Sequence, residues 1–166
     1  MKRKPGFPYV VLAAVLFVTS VEVLVGGQAA PPKPVQPSAK DRCPVCGMFV
    51  AKHKDFLGEI ILRDGTPFVF DGAKDMFRFY FDMGSYAPGK TTADIAAIFV
   101  TDYYRLKLVD GPTAFYVIGS NVLGPMGKEL IPFSGEKEAR TFLADHKGTA
   151  VVKFADITLA MIKDLD

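Results

Sequence analysis

The apolar positions change period several times along the chain, and each change predicts an element. Gly58–Leu62 is followed by the turn residues Arg63-Asp64-Gly65 and by Thr66–Phe70, which predicts a β-hairpin. From Ala73 to about Met83 the apolar residues Met76, Phe77 and Tyr80 recur at helical spacing, with Asp71 placed as a helix cap. After a loop holding Gly84, Pro88 and Gly89, the run Ile95–Tyr104 is long, apolar and rich in β-formers. A second series follows: strands at Thr113–Gly119 and Glu129–Phe133, a helix near Glu136–His146 capped by Ser134, and a last strand at Thr149–Phe154.

The two series are copies at an offset of 63 residues. Phe70-Asp71-Gly72-Ala73-Lys74-Asp75, with Phe79 beyond it, aligns with Phe133-Ser134-Gly135-Glu136-Lys137-Glu138, with Phe142 beyond it. Each unit reads β-β-α-β, over about 56–105 and about 113–155. Strands that do not alternate one-for-one with helices predict an α+β fold with antiparallel pairing. Units of about 50 residues have thin cores. The two units should therefore pack on each other, and their seam is a natural site.

Upstream the pattern is different. Lys2, Arg3 and Lys4 precede an uncharged apolar stretch from Tyr9 to Val21, and small residues follow at Gly26-Gly27-Gln28-Ala29-Ala30. Residues 1–30 thus predict a secretory signal peptide cleaved near Ala29 or Ala30. Apolar residues resume at Val23–Val25, so an uncleaved membrane anchor of about 20 residues is the alternative. Either way the remainder leaves the cytoplasm. Residues 31–41 are proline-rich and read as an extended tether, with the folded domain at 42–166.

The net charge of +2 comes from Lys2, Arg3 and Lys4 against Glu22, so the exported part is balanced. It has no basic run to gather phosphates, and nucleic-acid binding is not expected. Two cysteines make a poor disulfide framework for a domain of this size, which suggests that they serve chemistry.

Both cysteines lie in Cys43-Pro44-Val45-Cys46-Gly47-Met48, three sulfurs within six residues. Such soft donors suit Cu(I), whereas Ca²⁺ and Mg²⁺ want oxygen. A zinc turn would want a second Cys pair or a His-x₃₋₅-His unit, and His53 and His146 do not form one. A thiol-disulfide redox motif remains open, although no clear helix start follows the cysteines. Met126 lies between turn-formers in Gly124-Pro125-Met126-Gly127; it is either a tucked hydrophobe or a distant thioether brought to the cysteine turn. His53 reads as a surface residue, and His146 as a helix C-terminal residue favoured by the dipole. No Ser/His/Asp order and no phosphate-binding glycine loop is found.

Taken together, Cys43-Pro44-Val45-Cys46-Gly47-Met48, Phe70-Asp71-Gly72 with Lys74-Asp75-Met76, Ile95–Ile98 with Thr101-Asp102-Tyr103, Ala114–Ser120, Gly124–Gly127 and Leu130–Phe133 resemble the NosL family, accessory proteins of nitrous oxide reductase. The resemblance covers essentially residues 42–160. It implies a periplasmic copper chaperone, not an enzyme, built from two modules akin to those of organomercurial lyases. Its cargo would be Cu(I), for the copper-sulfide centre of nitrous oxide reductase, and its partners the apo reductase and a membrane-bound assembly machinery. The metal-binding positions it implies are Cys46 and Met48, with Met126 a further sulfur and Cys43 a variable one. Many members are lipoproteins, whereas this chain has no cysteine at the end of its apolar segment. A thiol-disulfide oxidoreductase or organomercurial-lyase-like enzyme using the Cys-x-x-Cys pair is the competing reading.

Overall fold

In a computed structural model that describes residues 1–2 and 32–166, the β-β-α-β repeat is laid out as two related units. The signal or anchor segment lies outside the described residues. No helix among the described residues is long and apolar enough to cross a membrane.

The first unit runs β1 (Gly58–Leu62), β2 (Pro67–Phe70), α1 (Ala73–Phe81), α2 (Met83–Tyr86) and β3 (Ile95–Asp102), and β4 (Lys107–Asp110) adds an edge. Its sheet order is β2-β1-β3-β4. The second runs β5 (Phe115–Ile118), a small hairpin of β6 (Leu123–Gly124) and β7 (Gly127–Lys128), β8 (Ile131–Phe133), α3 (Glu136–Asp145) and β9 (Ala150–Lys153), with sheet order β8-β5-β9. All of these pairings are antiparallel. The order β2-β1-β3 repeats as β8-β5-β9, which bears out the α+β reading and the repeat. The β1–β2 turn closes where expected, at Gly65 with φ +86°, a left-handed conformation that suits glycine.

The units share one interior. Phe77 of α1, fully buried, meets Tyr116 of β5 at 5.4 Å and Phe154 after β9 at 4.9 Å between ring centroids. Tyr103 N–H donates to Pro132 O at 3.0 Å, joining the end of β3 to β8. A short helix, α4 (Leu159–Lys163), which the sequence pattern did not reveal, buries Ile162 and packs on α1.

Two expected caps are corrected. Gly72, not Asp71, occupies the N-cap of α1, and Gly135, not Ser134, that of α3; in neither does a cap side chain bond the helix. Asp71 turns instead to Cys46, and Ser134 donates to Asp102. β3 stops at Asp102 because its carboxylate accepts the N–H groups of Tyr104 and Arg105, folding the chain away. The proline-rich segment is partly seated: Val35 packs on the core and its N–H donates to Glu59 Oε2 at 3.0 Å.

Candidate metal centre

The cysteine turn is a small hairpin held by its ends. Arg42 bridges Phe49, Val50 N–H donates to Asp41 O at 3.0 Å, and Cys43 N–H donates to Met48 O at 2.9 Å. Gly47 closes the turn at φ +79° and its N–H donates to Cys43 O at 2.9 Å. Outside, the Arg42 guanidinium covers the Phe49 ring at 3.8 Å and donates to Gly47 O at 2.8 Å. Inside, buried Val50 pins the hairpin to the core. The consequence is that Cys43 is buried and Cys46 half-buried, both as free thiols.

Asp71, just before the α1 N-cap, and Asp75 in the first turn of α1 meet them. Cys43 Sγ donates to Asp75 Oδ2 at 3.4 Å, and Cys46 Sγ donates to Asp71 Oδ1 at 3.2 Å. One ligand atom from each of these four residues lies within 4.8 Å of all the others. Asp71 and Asp75 are themselves buried, and Asp71 Oδ2 has no hydrogen-bond partner among the described residues. Burial pushes the Cys46 thiol up to about 12, and the carboxylates beside it push the same way. Cys43, deeper, is raised further, again chiefly by burial. Without a metal both side chains therefore stay protonated, each thiol S–H directed at a carboxylate oxygen. The set can bind a soft cation once those protons leave.

Met126 arrives from the second unit. It occupies the β6–β7 turn, whose Gly127 has φ +85°, and is 45% exposed. A cleft of about 420 Å³ has Cys46, Met126, Lys74, Asp75 and Arg78 among its walls. The structure thus brings the Met126 turn and Cys46 to one cleft. Met48 is half-buried across the hairpin from Cys43, and among the described residues the walls of that cleft do not include it. Neither histidine joins the cluster among the described residues; His146 stacks on Phe142 at 4.3 Å and faces Asn121. A larger hollow of about 610 Å³ lies elsewhere, against Tyr80, Ile95, Phe99 and Phe154, away from the thiols.

Sequence reasoning missed Asp71 and Asp75 as companions of the thiols, because Asp71 reads as a helix cap and Asp75 as part of the repeated segment. Their spacing of four residues at a helix entrance, on the repeated strand-x-Gly-helix segment, was the available signal. Lys74 and Glu129 were also missed. Glu129 is buried, accepts the N–H groups of Lys74 and Leu130, and is pushed up to about 8 by that burial.

Comparison with known proteins bears on this geometry. The NosL family model matches residues 34–162. The copper-binding lipoprotein NosL of Stutzerimonas stutzeri is 26% identical over 140 residues, 80% of this chain and 70% of that protein. The crystal structure of the copper chaperone NosL from Shewanella denitrificans superposes with a TM-score of 0.65 at 24% identity, covering 78% of this chain and 99% of that one, so the fold is shared. The solution structure of apo-NosL from Achromobacter cycloclastes is 29% identical, with a TM-score of 0.45 over 63% of this chain and 87% of that one.

Proposed function

The chain belongs to the NosL family, and we propose that it is an exported Cu(I) carrier delivering copper for maturation of the copper-sulfide centre of nitrous oxide reductase. Its partners in this reading are the apo reductase and a membrane-bound assembly machinery. The observation that carries the reading is that Cys46, which is clustered with Cys43, Asp71 and Asp75, shares one cleft with the Met126 turn. Thiolate and thioether sulfurs favour Cu(I).

Capture requires the thiols to lose their protons, and the carboxylates at 3.4 and 3.2 Å are the acceptors in place. Cys46 and Cys43 then supply negative charge and Met126 a neutral soft donor, with Met48 the sulfur opposite Cys43. The Lys74 ammonium and the Arg78 guanidinium in the cleft offset the charge of the loaded pair. Half-buried Cys46 and exposed Met126 leave one side open, so a partner's sulfur or imidazole can attack the ion and copper passes by ligand exchange. Export is supported by the basic-apolar-small pattern of residues 1–30 and by the lipoprotein name of the Stutzerimonas relative. In this chain the tie to the membrane would be an uncleaved apolar segment, or none after cleavage.

The oxidoreductase reading has less support. A catalytic cysteine needs a depressed pKa, whereas both thiols here are raised by burial beside two carboxylates.

Anaerobic titration with Cu(I) against a chromophoric chelator tests the proposal. About one ion should bind tightly, be lost in Cys46→Ala, and be held more weakly in Met126→Leu and Met48→Leu. Unchanged affinity in Cys46→Ala would overturn it.

A further inference from the structure

Lys74 stands between the thiol cluster and the Met126 turn, with a side chain only 4% exposed. Its ammonium donates to the Met126 carbonyl at 2.8 Å and to the Leu165 carbonyl at 3.4 Å, with Asp166 at 3.8 Å. Its backbone N–H donates to Glu129, which lies just past β7 and also accepts Leu130 N–H. Room for Glu129 is made from both sides. A Cβ on Gly72 would fall 2.0 Å from its Oε2, and a Cβ on Gly124 would fall 3.0 Å from its Cγ.

Each unit therefore reaches into the other. Lys74 of the first holds the turn that carries Met126, and Glu129 of the second holds the helix start that carries Asp71 and Asp75. Burying an ammonium and a carboxyl group is costly, and apolar residues would join the units at least as well. What polar groups supply here is directional contact with named backbone atoms of both units.

We propose that Lys74 and Glu129 are positioning residues for metal capture, holding the Met126 turn against the Cys43–Cys46 pair so that thioether and thiolates meet on one ion. The inference rests on the Cu(I)-carrier reading. Its effect should equal that of a lost outer contact at a metal site, about 10–100-fold in affinity.

The test loads Cu(I) anaerobically into the wild type, Lys74→Leu, Met126→Leu and the double variant, with affinity measured by chelator competition and bound sulfurs counted by X-ray absorption. Lys74→Leu, which adds no sulfur to the cleft, should lose about as much affinity as Met126→Leu and one bound sulfur, and the double variant should bind no more weakly than either. Glu129→Gln, whose amide oxygen still accepts both N–H groups, should keep wild-type affinity, while Glu129→Ala should behave like Lys74→Leu. Full affinity and sulfur count in Lys74→Leu, or losses that multiply in the double variant, overturn the proposal. If Lys74→Leu does not fold, the unsubstituted protein labelled with ¹³C-methyl methionine decides: the Met126 methyl should shift with the first equivalent of Cu(I), and an unshifted methyl overturns it. A Cys46→Ala arm separates the two readings. Wild-type binding there removes the carrier itself, whereas binding lost there but untouched in Lys74→Leu removes only the positioning role.

Discussion

Glu59 offers the sharpest check on how the proline-rich segment is tied to the domain. It sits on the central strand β1, fully buried. Its Oε2 accepts the Val35 N–H at 3.0 Å and its Oε1 has no hydrogen-bond partner among the described residues. Burial pushes this carboxyl from 4.5 up to about 7, against a smaller opposing pull from the Val35 N–H. The native state therefore keeps a proton that the unfolded chain releases near pH 4.5. The associated stability is fully present below pH 4.5 and is lost as pH rises through about 7. At about 1.4 kcal/mol for each pH unit between those values, the loss amounts to about 3 kcal/mol. Glu59→Gln keeps the shape and has no proton to release, so its stability should not carry this dependence. Urea unfolding of both proteins between pH 4.5 and 8.5 measures it. The advantage of Glu59→Gln over wild type should grow by about 3 kcal/mol from the acid end to the alkaline end, with unchanged m-values. Glu129 titrates in both proteins and cancels from the difference. Parallel pH profiles would refute the reasoning, and with it the description of Glu59 as a buried carboxyl under a seated segment.

Two further outcomes concern the frame that holds the cleft. Gly119→Ala should destabilise by at least about 2 kcal/mol in thermal or urea unfolding. Its φ is +71°, and a Cβ there would fall 2.0 Å from Thr149 Oγ1 and 2.8 Å from Thr149 Cβ, so left-handed strain and a clash at the β5–β9 edge add; a loss below 0.5 kcal/mol would contradict this. Phe77→Ala should cost about 3–5 kcal/mol, since the ring is fully buried and packs across the seam on Tyr116 and Phe154. Separate unfolding of the two units in the wild type, rather than one transition, would show that this seam carries less than its packing indicates.

The repeat was legible because each copy must build the same half-open layer from the same few residue types. Phe70 and Phe133 end equivalent strands, and Phe79 and Phe142 sit at equivalent places on the helices above them. Asp71 was misread for a reason that local rules cannot escape. A cap preference weighs an aspartate only against its own next turn, whereas its real partner, Cys46, lies 25 residues upstream. Helix α4 was not read because five residues are too few to show a helical period, and strand β4 because its two apolar residues, Leu108 and Val109, are adjacent and flanked by Lys107 and Asp110. Met126 was marked by its turn-formers, but its approach to Cys46 depends on Lys74 and Glu129, whose contacts join residues 52 and 55 apart.

The two helix entrances explain why the chemistry is concentrated in one unit. Asp71 and Asp75 correspond at the offset of 63 to Ser134 and Glu138. In the second unit the Arg105 guanidinium fills the position, donating to Ser134 Oγ at 2.8 Å, Glu138 Oε1 at 2.9 Å and Asp102 Oδ2 at 2.9 Å. Glu138 also bends over its own helix start, since a Cβ on Gly135 would fall 2.1 Å from its Oε2. That entrance is saturated by a permanent cation and has no need of another. In the first unit Glu129 arrives from outside to take the α1 N–H, which leaves Asp75 free to face Cys43. Thiol protons, which a metal can displace, stand where the second unit has a guanidinium that cannot leave. One small exchange, an imported cap for a local one, thus separates the ion-pair pocket of the second unit from the thiol–carboxylate cluster of the first.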